Sequence, residues 1–340
     1  MLLISSAEFA KHVTPPGHPE RVQRAHVLDA VASQFGAAGG KVITPRTATD
    51  EEILRLHTEA HLEHMAATAG SATMLDADTF TSPDSYEVAR LAAGATVQAA
   101  EWALDHGEPA FALVRPPGHH AEADRAMGFC FFNNVAVAAA AMVARGLERV
   151  AIVDIDVHHG NGTQAMFYDD PRVLYISTHQ FPFYPGTGAA DEVGMGDGRG
   201  FTVNVPMEAG STDADYALVH RDVVLPVLDE FRPQLVLVSA GFDAHERDPL
   251  AAMRMTAAGY GAVVDSLSEV AARHGALALV TEGGYELQAL ADCLSAVVAS
   301  TGTAHLAAPP ALEAARGARA AARVHLALKG QWRCLDRPRV

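Results

Sequence analysis

Cysteine is scarce in this 340-residue chain, and the three present, Cys130, Cys293 and Cys334, are too few and too widely spaced for a disulfide framework or a thiolate metal cage. Reduced thiols and a cytoplasmic setting are expected. Charge is thin too, at 19% of residues, and one-sided: 41 acidic side chains against 25 Lys and Arg give a formal net charge of −16. Such a chain has no overall attraction to phosphates or anionic lipid, so direct nucleic-acid binding is not expected and cationic partners are mildly favoured. Long apolar runs are missing. The opening MLLI lacks a basic leader, so neither a signal peptide nor a membrane span is expected. Hydrophobic residues still make up 49% of the chain, enough for a large interior, and the length suits one α/β domain.

Several short apolar runs end abruptly in polar or glycine-rich turns. They begin at Phe111, Val150, Val173, Leu235 and Leu277, and read as buried parallel strands. Helix-like stretches lie between them, at Tyr86–Asp105, Asn133–Arg145, Asp213–Glu230, Thr256–His274 and Leu287–Ser300. This alternation predicts a three-layer α/β/α fold with a central, mostly parallel sheet. Residues 1–306 are expected to form a single catalytic domain, and 307–340, with LEAARGARAAARVHLALK, a helical tail packed on it. His, Asp and Tyr cluster just after the C-terminal ends of the strands, where open α/β sheets bind ligands, so five distant loops are expected to share one pocket.

The segment from Val153 to Gly162 carries carboxylates and imidazoles at alternate positions of a strand leaving the sheet, so Asp156 and His158 point the same way. Such a pair fills two coordination positions of one divalent ion. Asp243, at another strand end, is the candidate third ligand, and three protein ligands leave zinc open to water and a substrate carbonyl, as a catalytic site requires. An isolated His158-His159 pair would read as a strand cap; the flanking aspartates and the glycine turn reverse that preference. In Arg115-Pro116-Pro117-Gly118-His119-His120, prolines stiffen a turn that presents two imidazoles, a candidate base and acid for amide hydrolysis. Asp154 and Asn161 are candidates for fixing their tautomers. The double glycine of Glu282-Gly283-Gly284-Tyr285 permits a sharp turn that offers the Tyr285 phenol to a developing oxyanion.

In this order and at these spacings, RPPGHHA, GFCFFNN, DIDVHHGNGTQAMF, FYPGTG, AGFDAH and EGGY resemble the arginase and histone deacetylase superfamily, from about His18 to Leu290. The likeness is greatest to class II deacetylases and bacterial deacetylase or acetylpolyamine amidohydrolase relatives. It implies one zinc per chain on Asp156, His158 and Asp243, His119 and His120 as paired base and acid, and Tyr285 polarising the acyl carbonyl. It also implies that Asp154 orients His119 while Asn161 faces His120; asparagine at this position is the class II residue. Tyrosine rather than histidine at 285 implies a competent enzyme.

The same resemblance implies an acyl-lysine tunnel walled by Gly128, Phe129 and Tyr184, with Leu250 where polyamine deacetylases carry a glutamate gatekeeper. A structural potassium is implied beside Asp154, Ser177 and the backbone of Asp156 and His158. Asp78 is the match for a rim aspartate, and Arg21 for an internal arginine near a product channel.

The expected function is therefore zinc-dependent hydrolysis of an N-acyl amide, with acyl-lysine in a peptide or protein as substrate. An acetylpolyamine amidohydrolase and a non-catalytic acyl-lysine binder are the alternatives, and an oligomer is compatible with the sequence. A two-metal ureohydrolase would need more ligands than these motifs supply. His57, His61 and His64 lie at helical spacing without a completing carboxylate, which predicts a solvated helix face. Cys130 reads as inert packing, and Gly194–Gly200 lacks the lysine of a phosphate loop.

Overall fold

The computed structural model describes residues 1–300 and 314–336. In chain order the elements are β1 (Leu2–Ile4), α1 (Gln23–Ala37), β2 (Lys41–Ile43), α2 (Asp50–Ile53), α3 (Glu59–Ala66), α4 (Ser85–His106), β3 (Ala110–Ala112), α5 (Asn134–Ala144), β4 (Val150–Asp154), α6 (Asn161–Phe167), β5 (Val173–Gln180), β6 (Thr202–Met207), α7 (Asp213–Val219), α8 (Leu225–Phe231), β7 (Leu235–Ala240), α9 (Ala257–His274), β8 (Ala276–Thr281), α10 (Leu287–Ala299) and α11 (Ala315–Ala327). A π-helical turn, His220–Val224, joins α7 to α8, so the predicted helix over 213–230 runs through with one irregular turn.

The strands form one eight-stranded sheet in the order β2-β1-β3-β8-β7-β4-β5-β6, and every pair in it is parallel. Side chains alternate between its faces, which is why continuous apolar runs were needed. Val150 and Ile152 of β4 enter one apolar cluster, with α4 and α5, while Ala151 and Val153 enter the other, with α7, α9 and α10. The sheet is thus covered on both sides by helices, as the sequence predicts. Between β3 and β4 the chain skips the positions later filled by β8 and β7. That reversal of strand order opens a crevice at the C-terminal edge, where a ligand site belongs.

Three strands were not foreseen. β1 and β2 have three residues each, and β6 carries Asn204 and Pro206, the proline tolerated because β6 pairs only with β5. The expected boundary at 306/307 lies outside the described residues. Within the tail, α11 packs against α7 and β6, Gly317 N–H donates to Asp215 Oδ1 (2.7 Å), and Trp332 Nε1–H donates to Gly200 O (2.9 Å). Among the described residues no helix is long and apolar enough to cross a membrane.

Candidate active site

Five neighbouring strands deliver the site. β3 leads into His119 and His120, β4 into Asp156 and His158, β7 into Asp243, and β8 into Glu282 and Tyr285, while Ser177 stands on β5. Asp156, His158 and Asp243 offer ligand atoms that all lie within 4.8 Å of one another. His158 Nδ1 is 3.2 Å from both Asp156 Oδ1 and Asp243 Oδ2. Backbone N–H groups fix the outer lone pairs: Val157 N donates to Asp243 Oδ1 (2.9 Å) and Gly283 N to Asp156 Oδ2 (2.8 Å). Asp243 Oδ2 is buried and has no partner with hydrogen-bond geometry.

Two carboxylates buried side by side are costly unless a cation or proton compensates them. Burial, then the charge of Asp156, lifts the Asp243 carboxyl to about 7 in the metal-free protein. Burial would lower His158, but Asp156 and Asp243 outweigh it and raise the imidazole to about 10. The orphaned Asp243 oxygen and the two-oxygen, one-nitrogen donor set fit a divalent ion. The surrounding backbone leaves no room for side chains beside these carboxylates: a Cβ on Gly241 would lie 2.0 Å from Asp156 Oδ2, and one on Gly283 2.2 Å from Asp243 Oδ2.

The two histidines sit in different electrostatic surroundings. His119 Nδ1–H donates to Asp154 Oδ2 (3.0 Å), and although burial opposes protonation, Asp154 and Asp156 raise this imidazole to about 10. His120 Nδ1–H donates to Asn161 Oδ1 (2.9 Å), and the Asn161 amide is oriented by its donation to Glu122 Oε1 (2.8 Å). Asn161 brings no charge, so burial first, then His119 and His158, hold His120 well below the usual imidazole range. Neutral His120 therefore turns a free Nε2 lone pair outward.

A cavity of about 250 Å³ stands over this floor, with His120, His158 and Tyr285 at its base. Its walls include Gly128, Phe129, Phe183, Tyr184, Leu250 and Asp78. Gly128 has φ 56°, and a Cβ there would lie 2.5 Å from His120 Cδ2. Phe129 shares the left-handed region at φ 69°, a strained conformation for a bulky residue, held by donation from its N–H to Thr79 Oγ1 (3.1 Å). Tyr184 meets His120 edge-on at 5.2 Å. Burial raises the Tyr285 hydroxyl well above its ordinary range despite Arg24 nearby, so it stays a donor. Asp154 and Ser177 are register partners across β4 and β5, and Ser177 Oγ also meets His179 Nδ1 at 2.8 Å.

Two sequence readings need correction. Arg21 is exposed; the internal arginine is Arg24, in the first turn of α1, which donates to Gly284 O (2.8 Å) and Glu282 O (2.5 Å) and pairs with Glu20 (2.9 Å). His57 and His61 are buried rather than solvated, stacked 4.9 Å apart beside Phe132, and only His64 is exposed. Asn133 N–H donates to His57 Nε2 (2.9 Å), and His61 Nε2–H donates to Phe131 O (2.8 Å), so both hold the loop before α5. Cys130 is buried, and burial raises its thiol well above the ordinary value, as an inert packing role requires.

Other contributors went unread in the sequence. Glu282 accepts Gly118 N (2.6 Å), His119 N (3.2 Å) and Ser239 Oγ (3.0 Å), tying the two-histidine loop to the last strand. Asp248 accepts Tyr285 N (2.6 Å) and, through its other oxygen, Leu250 N (3.0 Å), so one carboxylate sets both the phenol and the gatekeeper. His159 Nδ1 meets Thr187 Oγ1 at 2.8 Å, anchoring the loop that carries Tyr184. Only the polar character of these residues beside apolar strands hinted at such roles.

A parallel α/β sheet thus gathers an Asp-His-Asp trio that could hold a metal ion, a two-histidine loop and a tyrosine at its C-terminal edge. The chain belongs to the histone deacetylase family: residues 18–301 match the histone deacetylase domain. It is 40% identical over 292 residues to a probable deacetylase of Archaeoglobus fulgidus, spanning 84% of this chain and 81% of that protein. It is 42% identical over 299 residues to the histone deacetylase-like amidohydrolase of Pseudomonas aeruginosa, spanning 84% and 78%. The crystal structure of the HDA15 HD domain superposes with a TM-score of 0.90 at 36% identity, covering 98% of each chain. Some relatives are larger: the matched region spans 38% of histone deacetylase HDA1 of Candida albicans. The family supports hydrolysis of amides.

Proposed function

We propose that the protein is a zinc-dependent deacylase that cleaves N-acyl amides, with acyl-lysine in a peptide or protein as its substrate. The observation that carries this reading is the buried Asp156-His158-Asp243 trio, whose Asp243 Oδ2 has no hydrogen bond and only the His158 imidazole 3.2 Å away, beneath a narrow cavity. An ion held there supplies positive charge that polarises an acyl carbonyl and acidifies water.

The chain's own groups do the rest. His120 Nε2 takes the proton of the attacking water and returns it to the departing amine. Tyr285 donates to the carbonyl oxygen as negative charge develops on it. His119, held cationic by Asp154, adds fixed positive charge behind His120, and Asp154 with Ser177 would hold a structural potassium. The flat faces of Phe129 and Tyr184 suit a methylene chain. Leu250 gives no carboxylate for the second ammonium of a polyamine, which favours acyl-lysine.

The test is a panel of acyl-lysine peptides and acylpolyamines, assayed with and without a hydroxamate chelator. His120→Ala should keep its zinc and lose turnover by about 10²–10⁴-fold. Full activity of that variant would remove the mechanism, and faster cleavage of acetylputrescine than of acetyl-lysine peptides would replace the substrate class.

A further inference from the structure

The narrow cavity has a larger neighbour. A second cavity, of about 600 Å³, shares Pro19, Leu250 and Tyr285 with it. A third, of about 450 Å³, shares Val13, Thr14 and Pro15 with the second. Together the three make a set of adjoining clefts bordered by the loop at residues 12–23. Val13, Met74 and Tyr184, exposed to 52%, 65% and 39%, all lie on it, and apolar side chains left in water beside a cleft mark a binding surface.

The loop is built to hold its shape. Pro15, Pro16 and Pro19 fix φ and remove three N–H donors, leaving an apolar wall with little to offer water. Thr14 Oγ1–H donates to Glu20 O (2.7 Å), Val13 N–H to Ser82 Oγ (3.0 Å), and His18 Nε2–H to Asp78 O (2.9 Å). The 600 Å³ cavity is walled by Val13, Pro15, Pro16, Val22, Pro249 and Leu250, and no carboxylate lines it. Its one permanent charge is Arg21, exposed and without an ion-pair partner among the described residues. In a chain of net charge −16 this is a locally cationic spot. The rim carboxylate, Asp78, belongs to the narrow cavity.

We infer that the 600 Å³ cavity is a subsite for an apolar side chain of the polypeptide that carries the acyl-lysine, and that Arg21 selects against basic residues beside it. This rests on the deacylase reading above and refines its substrate class. The tunnel and the subsite share Pro19, Leu250 and Tyr285, so the apolar residue is a near neighbour of the acyl-lysine in an extended chain, which advances about 3.3 Å per residue. An acylated polyamine gains nothing here, because its second ammonium would meet proline, leucine and a guanidinium. A strongly basic tail is disfavoured for the same reason.

The experiment measures kcat/KM for acetyl-lysine peptides bearing Leu, Gly, Asp or Lys at each of three positions on either side. Rates are expressed relative to Nε-acetyl-lysine amide. Leucine at one position should exceed glycine by about tenfold, and lysine there should fall below aspartate by about threefold, an effect that shrinks with salt. Arg21→Glu should reverse the Asp-to-Lys order and keep the leucine gain, whereas Val13→Asp should remove the leucine gain.

Equal ratios for all flanks, or acetylputrescine cleaved as well as the best peptide, would overturn the subsite and leave amide hydrolysis intact. So would a solution dimer that Val13→Asp dissociates without changing the peptide preference. Failure of the zinc-loaded protein to cleave any acyl amide would instead overturn the deacylase reading, and the subsite with it.

Discussion

Removing zinc should destabilise the protein, and more so at higher pH. With free zinc at about a thousand times its Kd, mass action stabilises the native state by about 4 kcal/mol. An unfolding entropy of about 2.1 cal/mol/K per residue gives about 0.7 kcal/mol/K for a chain of 340 residues. Chelation should therefore lower Tm by about 6 °C. The pH dependence follows from the ligands. In the zinc-free protein, burial and Asp156 lift Asp243 to about 7. A carboxyl raised in this way stabilises the folded state fully below the unfolded value of about 3.9, and that contribution is lost as pH rises through 7. His158 is raised to about 10, against burial, by Asp156 and Asp243. Its contribution is full below about 6.5 and is lost as pH rises through 10. Zinc held by these ligands would replace both protons, so its affinity should rise with pH while the zinc-free protein weakens. The assay is thermal denaturation by circular dichroism at pH 6 and pH 8, with chelator or one equivalent of zinc, alongside a count of metal per chain. An unchanged Tm, a smaller shift at pH 8 than at pH 6, or two ions per chain would refute the reasoning.

Gly283→Ala should abolish zinc retention after dialysis while leaving the circular dichroism spectrum folded, because the new Cβ would lie 2.2 Å from Asp243 Oδ2 and 2.6 Å from Asp156 Oδ2. Normal zinc content would contradict the ligand assignment. Tyr285→Phe should keep zinc and lower kcat by about 10²–10³-fold with little change in KM; a loss confined to KM would move the phenol from catalysis to binding. Leu250→Glu should raise the rate ratio of acetylputrescine to an acetyl-lysine peptide about tenfold, by giving the second ammonium a partner. An unchanged ratio would show that position 250 does not select substrate.

How much of this was legible in the sequence depends on how far each fact reaches along the chain. β4 and β7 announced themselves because a strand buried on both faces must be a continuous apolar run, and Asp156 and His158 followed from the period of two as that strand leaves the sheet. Caps were also local: Asn133 accepts Ala136 N and starts α5 where the predicted helix begins. By contrast, which arginine near Glu20 turns inward is a matter of helix phase. Arg24 falls four residues after Glu20 on the buried face of α1, and the HPER run gave no phase by which to prefer it over Arg21. The stacked His57 and His61 were misread because the ring that covers them, Phe132, arrives from more than seventy residues away.

The same logic explains why the histidine pair was legible in identity but not in charge. The protonation of His119 and His120 is decided by which of Asp154 and Asn161 each one faces, and by Glu122 turning the Asn161 amide. An aspartate at position 161 would supply both imidazoles with negative charge and raise His120 from its lowered value. With the neutral amide in place, only His119 has a carboxylate partner, and the two adjacent imidazoles differ in charge in this chain.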